Sequence, residues 1–183
     1  AQTWSLQKDS QWQELEGGPT ENLTLAVSQA KALAEQQKSK QLKKHYQQLK
    51  ENFPQLASPD LNSFIEAEML FAKGKYASAV RQYNAFMEKY PESHLYYAAL
   101  ERKYAIATAF LNGRKKTVLG ILRIRGYAEG ENIMENIADQ AGTDPIAERA
   151  AVAVADNLQE REKYEKAYQK WSEIASKWPA GET

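Results

Sequence analysis

Glu131, Glu135 and Asp139 recur at four-residue steps, so on a helix they form one row of carboxylates. Such a row binds a divalent cation when a second helix supplies further oxygens; without them it is a solvated helix face, which is the plainer reading. Other chemistry is sparse. His45 and His94 stand in different segments with no serine-acid or metal-ligand spacing around either, and both read as surface residues. The chain has no cysteine, which removes disulfides, thiolate metal sites and cysteine nucleophiles together. Gly113-Arg114-Lys115-Lys116-Thr117 lacks the Gly-Lys-Thr ending, the glycine ahead of it and the preceding strand that a phosphate loop needs. With 24 basic and 24 acidic residues, and no exposed stacking aromatics alternating with the basic ones, nucleic acid is not expected as a partner. The expectation is a non-enzyme with no catalytic residue, cofactor or metal.

The zero net charge hides a polarised segment. From Arg102 to Arg125 there are seven basic residues and no acidic one, and from Glu129 to Glu148 six acidic residues and no basic one. Arg114, Lys115, Lys116, Arg123 and Arg125 cluster in a stretch that also holds Val118, Leu119, Ile121, Leu122 and Ile124. Two readings stand. Either the apolar residues tuck onto a core while the arginines pair with the acidic helix that follows, or the stretch is a docking element for a protein or for anionic headgroups.

The elements that position these residues are written as a repeat. Tyr76, Ala79, Tyr83, Phe86, Tyr90 and Pro91 reappear 88 residues later as Tyr164, Ala167, Trp171, Ile174, Trp178 and Pro179. A degraded copy precedes them in Leu42, Tyr46, Leu49, Phe53 and Pro54. Steps of three, four and seven residues share one helix face, so each copy carries an apolar stripe that must be buried. A small residue beside a ring lets a neighbouring helix approach at one level and be filled at the next; the proline then stops the helix. Upstream of each copy stands a second small-then-large pair: Ala30 and Leu33, Ala67 and Leu70, Ala155 and Leu158. The unit is therefore a pair of helices. Pairs are expected over about 21–54, 60–91, 96–145 and 147–179, with an insertion at 113–126 where the spacing fails. No segment alternates enough to predict a sheet, and the fold class is all-α. Residues 1–19 read as a polar lead whose Trp4 and Trp12, eight apart, share a helix face or cap the first pair.

With Pro91 or Pro179 placed near the end of a unit of about 34 residues, the small and large residues fall where the tetratricopeptide repeat has them. The chain resembles a tetratricopeptide-repeat protein. More narrowly, Gly74-Lys75-Tyr76 followed by Ala79, Tyr83, Phe86 and Tyr90-Pro91-Glu92-Ser93 resembles the group of the outer-membrane assembly lipoprotein BamD. The resemblance implies a single domain over 20–183 of antiparallel helix pairs stacked as a right-handed superhelix. It implies a non-catalytic scaffold in the periplasm, anchored to the outer membrane or soluble, that binds a β-barrel assembly component or an extended peptide. Members of the group carry a lipidated cysteine at the mature start, which this chain lacks; its opening Ala1-Gln2-Thr3 suits a secreted protein after signal removal and equally an expressed fragment. Peripheral membrane association through the basic insertion is a further expectation. Two alternatives stand beside this: a periplasmic coordinator of cell-wall or division machinery, which shares the aromatic-proline ending, and a helical enzyme subunit using the carboxylate row.

Stacked helix pairs bind along the concave wall lined by the first helix of each pair. Its residues are expected to be Leu61, Phe64, Glu68 and Phe71 in the second pair and Arg149, Val152, Asp156 and Gln159 in the last. Core packing competes for Leu61 and Phe64, and simple solvation for Glu68, Asp156 and Gln159. Tyr97 and Tyr104, seven apart, are expected to fill an interface.

Overall fold

The computed structural model describes residues 3–6, 12–15, 19–52, 54, 57–118 and 122–179. Among them stand eight helices: α1 (Pro19–Glu35), α2 (Ser39–Asn52), α3 (Pro59–Ala72), α4 (Tyr76–Lys89), α5 (Tyr96–Leu111), α6 (Tyr127–Ala141), α7 (Pro145–Glu160) and α8 (Tyr164–Lys177). The architecture is all-helical except for two β-hairpins, and packing divides the chain into two compact units, Ala1–Ser93 and His94–Thr183. Phe53, Leu119 and Ile121 lie outside the described residues.

One turn is used four times. At the end of α3 the amide of Lys73 donates to the Met69 carbonyl, Gly74 to Phe71 and Lys75 to Leu70. The same three bonds close α1 (Gln36, Gln37 and Lys38 to Ala32, Ala34 and Leu33), α5 (Asn112, Gly113 and Arg114 to Thr108, Phe110 and Ala109) and α7 (Arg161, Glu162 and Lys163 to Asn157, Gln159 and Leu158). The middle residue is left-handed each time, with φ 56° at Gln37, 69° at Gly74, 85° at Gly113 and 58° at Glu162. This arrangement satisfies the orphan carbonyls of a helix end and reverses the chain in three residues. α4 and α8 also stop alike: Tyr90 and Trp178 donate to Phe86 and Ile174 at 2.9 and 2.8 Å, with φ near −130° in both, before the proline.

The irregular third pair follows the same plan. After the turn at Gly113 the chain leaves in β3 (Lys115–Val118), returns antiparallel in β4 (Leu122–Arg125), and the amide of Gly126 donates to the Arg114 carbonyl at 3.0 Å, closing the loop where α6 begins. Arg114 and Gly126 together hold the place of Lys75, so Tyr127, Gly130, Met134 and Ile137 take the places of Tyr76, Ala79, Tyr83 and Phe86. Met134 and Ile137 are fully buried, as the repeat requires. Gly130 goes further than Ala79 in being small, because a Cβ there would lie 2.9 Å from the Ala107 carbonyl oxygen and from the Leu111 side chain. The insertion was expected; its being a hairpin was not, because strands of four residues show too little alternation to stand out. For the same reason the strands at the start of the chain are not visible in the sequence: Trp4 and Trp12, expected to share a helix face or cap the first pair, lie on β1 (Thr3–Leu6) and β2 (Trp12–Leu15), with Trp12 opposite Leu6, so a shared helix face is excluded.

Proline opens two helices, α7 and α3, the first with a side-chain cap as well. Asp144 accepts the Ile146 amide at 3.0 Å with Pro145 at the first helical position of α7. Pro59 stands at the same position in α3, and Asp60 in its first turn accepts the Ser93 hydroxyl at 2.6 Å. Partial burial pushes the Asp60 carboxyl up, but hydrogen bonds from Ser58, Ser93 and the Leu61 and Asp60 amides outweigh it and hold the group below the usual carboxylate range.

Candidate functional site

The wall expected on α3 is interior. Phe64 is fully buried between Tyr83 and Phe86, with ring centroids 5.8 Å away in each case, and Phe71 stacks on Tyr76 at 4.9 Å with planes 6° apart. Glu68 is fully buried and accepts the Tyr83 hydroxyl, and Leu61 is buried with them. Rings of this size contribute about 1.5–3 kcal/mol each on burial. Given facing rings on α4, they close the unit's core in preference to lining a groove. Leu61 and Phe64 therefore follow the core packing that competed with the wall reading, while Glu68 and Phe71, expected on an exposed wall with solvation as the alternative for Glu68, are corrected to core.

The matching positions on α7 face solvent. Arg149 ion-pairs with Glu101 at 3.1 Å and lies over the Tyr104 ring at 4.8 Å, with half of its side chain exposed. Glu101 holds the guanidinium above its ordinary range, its hydrogen bond outweighing the opposing effect of burial. Val152 is half-buried, and Asp156 and Gln159 are exposed. Tyr97, expected in an interface, is exposed, because only Tyr104 of that pair is covered by Arg149. The α7 residues Arg149, Val152, Asp156 and Gln159 therefore form one accessible strip at steps of three, four and three.

The carboxylate row on α6 is tied to the following pair. Glu131 accepts from Arg161 at 2.6 Å, and Glu135 lies 3.6 Å from Lys170, which donates to Glu173 at 2.8 Å. Burial lowers the Lys170 ammonium, but Glu173 and Glu135 outweigh it and hold it above its ordinary value. Asp139, with Glu135, Lys170 and Glu173, lines a cleft of about 130 Å³ whose wall also includes Ala138, Ala151 and Trp178. Among the described residues no group of three His, Cys, Asp or Glu side chains is placed to hold a metal ion.

The basic hairpin is fixed at its root. Arg125 donates to the Tyr127 hydroxyl at 2.8 Å, and on the same ring Arg161 lies 4.0 Å from the centroid. Asn157, buried on α7, donates to the Leu111 carbonyl at 2.9 Å and accepts from Arg161, so the end of α5, the start of α6 and α7 meet at this point. The expected pairing of the insertion's arginines with the acidic helix is replaced at Arg125 by Tyr127. In register, Lys115 stands opposite Arg125 and Thr117 opposite Arg123, alternating with Lys116 opposite Ile124 and Val118 opposite Leu122. Lys115 and Arg125 thus stand opposite one another in the ladder, while the side chains of Lys116 and Arg123 lie outside the described residues. Arg114 and Lys115 are exposed at the base of the hairpin.

Lys103 escaped the sequence reading altogether. It is fully buried on α5, its ammonium donating to Asn136 Oδ1 at 2.7 Å and Gln140 Oε1 at 2.5 Å on α6. With neutral partners only, desolvation lowers its pKa from 10.5 to about 8. The signal lay in the repeat: once the hairpin is removed, Lys103 falls at the position of Phe64 and Val152.

No helix among the described residues is long and apolar enough to cross a membrane. No protein-family model matches the chain, and no curated protein or solved structure is found to be similar to it.

Proposed function

We propose that this chain is a non-catalytic scaffold of tetratricopeptide-like helix pairs that binds another protein, and that it works in the bacterial envelope in outer-membrane protein assembly, as BamD-like proteins do. The observation that carries the scaffold reading is the four-fold use of one left-handed turn, with the same three hydrogen bonds, between helices that bury small and large residues at matching positions. Helix pairs of this kind offer partners the side chains left exposed on their first helices, here those of α7. Two surfaces support the reading. The strip Arg149, Val152, Asp156 and Gln159 mixes both charges, an amide and an apolar residue, a composition suited to an extended peptide. The hairpin with Arg114, Lys115, Lys116, Arg123 and Arg125 suits an acidic surface. The envelope role itself rests on the sequence from Gly74 to Ser93 alone.

Crosslinking in intact envelopes tests both parts, with a photoreactive residue at Gln159 for the strip, at Arg123 for the hairpin and at the buried Phe71 as a silent control. Capture of an outer-membrane β-barrel assembly protein at Gln159 or Arg123 is expected. Capture of wall-synthesis or division proteins would move the chain to a coordinator of that machinery, and capture of no envelope protein would sink the envelope reading.

A further inference from the structure

The exposed side of α2 carries a larger cationic excess than the second helix of any other pair. α2 packs on α1 and α3 through Leu42, which is fully buried, and through Tyr46 and Leu49, which line a small apolar cavity with Ala26 and Leu61. Lys40, Lys43, Lys44 and Lys50 are all exposed, and at 3.6 residues per turn they fall within about a third of the helix circumference. Glu51 is the one carboxylate on that side. α4 sets Arg81 and Lys89 against Glu88, α8 sets Lys166, Lys170 and Lys177 against Glu165 and Glu173, and α6 has acidic residues alone. α4 and α8 thus leave one cation unbalanced where α2 leaves three. Among the described residues none of the four lysines is in an ion pair; the Lys50 ammonium lies 5.6 Å from the Tyr46 ring centroid. The placement also works against the helix. Lys40 repels Lys43 and Lys44 across one turn, and with no acidic residue in the first turn it meets the positive end of the helix dipole. A helix needed only as a solvated face gains nothing from that arrangement.

We infer that this face of α2 docks the protein on a surface of anionic phospholipid. Unpaired cations call for an anionic partner, and the form of the excess selects a lipid surface. All four are lysines, point charges on flexible stems without the planar fork by which arginine fixes a carboxylate or phosphate in one geometry. Such a face favours anions that rearrange beneath it, as headgroups do in a fluid bilayer, over a protein whose carboxylates are held in place. Nucleic acid is disfavoured by stacking, because Tyr46, the only tyrosine of α2, lines the cavity with Lys50 over its ring and offers bases no free face. The apolar side of α2 is committed to α1 and α3, so the contact is electrostatic and lies on the headgroups without insertion. Each lysine brought to such a surface strengthens the contact about fivefold, and salt weakens it. The inference stands apart from the scaffold reading, since it needs no protein partner.

Flotation of the full chain with vesicles tests this. The protein should rise with vesicles of phosphatidylcholine and phosphatidylglycerol in a two-to-one ratio, stay behind with phosphatidylcholine alone, and be released from the anionic vesicles as salt is raised. Lys40→Gln/Lys43→Gln/Lys44→Gln should lower the partition coefficient about a hundredfold with an unchanged circular dichroism spectrum. Lys73→Gln/Lys75→Gln/Lys89→Gln, which removes the same net charge from exposed sites beside and on α4, should lower it by less than about threefold. A wild-type chain that does not bind the anionic vesicles, or binding that survives the α2 triple variant, overturns the inference. Equal losses in the two triple variants overturn it too, because the attraction would then be one of net charge alone. Tighter binding to a single-stranded RNA homopolymer or to polyglutamate than to the anionic vesicles at equal salt would assign the face to nucleic acid or to an acidic protein and overturn it equally.

Discussion

The helix pairs α3–α4 and α7–α8 share a turn, a stop and a pattern of small residues, yet their first helices meet different fates. Leu61, Phe64, Glu68 and Phe71 are interior, while Arg149, Val152, Asp156 and Gln159, the same positions 88 residues on, are half-buried or exposed. The backbone plan therefore does not decide whether a position is wall or core; side-chain volume does. Phe64 spans the gap to Tyr83 and Phe86, and the carboxylate of Glu68 reaches the Tyr83 hydroxyl. Val152 and Asp156 are each too short to do the same, and Trp171 is left partly in water.

Truncation should separate the two pairs most strongly. Phe64→Ala removes a ring from a closed aromatic cluster and should cost about 3–5 kcal/mol, whereas Val152→Ala, half-buried, should cost about 1 kcal/mol or less. Denaturant unfolding of both variants reads the difference. Equal losses would show that the α7 strip is as much core as its counterpart.

Lys103 occupies the same position again and sharpens the comparison with a change of sign. Its folded pKa of about 8 lies below the ordinary 10.5, so between those values the unfolded chain binds more protons and stability rises with pH. Below 8 the whole penalty is present, about 3 kcal/mol for a shift of this size. Lys103→Met, similar in volume and free of the buried charge, should therefore stabilise the protein at pH 7 by up to that amount and flatten the rise between pH 8 and 10.5. The lysine's two amide partners, Asn136 and Gln140, lie near enough to solvent to be rehydrated. A wild-type protein whose melting temperature does not rise over that interval would mean the ammonium is solvated.

The parts of this architecture that were legible in the sequence are those where identity and spacing survive together. Tyr76 to Pro91 and Tyr164 to Pro179 announce themselves because rings, small residues and prolines recur at fixed steps. The third copy did not, because the hairpin displaces it by twelve residues, Arg114 to Gly126, and because glycine and methionine stand where alanine and tyrosine were sought. Buried charge was illegible for another reason. A glutamate or lysine at a helix position is read as solvated, and only the Tyr83 hydroxyl beside Glu68 and the amides around Lys103 show otherwise. The α7 strip was legible because short and polar residues leave a position open wherever the backbone carries it.

The buried hydroxyl gives a smaller test. Tyr83→Phe keeps the ring and removes a donor to Glu68 in the core, which should cost about 1–3 kcal/mol. Trp171→Phe, at the matching part-exposed site, should fall below that. The order would reverse only if the indole were packed more tightly than its partial exposure allows.

The smallest expected effect lies in the turn that all the pairs share. Its left-handed residue is Gly74 in one pair and Glu162 in the other, with φ 69° and 58°. A side chain in that region costs about 1–2 kcal/mol, offset in part because glycine loses more chain entropy on folding. Gly74→Ala should therefore destabilise by about 1 kcal/mol, and Glu162→Gly should stabilise by something under 1 kcal/mol. Opposite signs in thermal melts of the two variants are what a common turn demands. If Glu162→Gly destabilised the protein, the glutamate would be holding its turn through contacts beyond the backbone, and the two turns would be alike in geometry but not in cause.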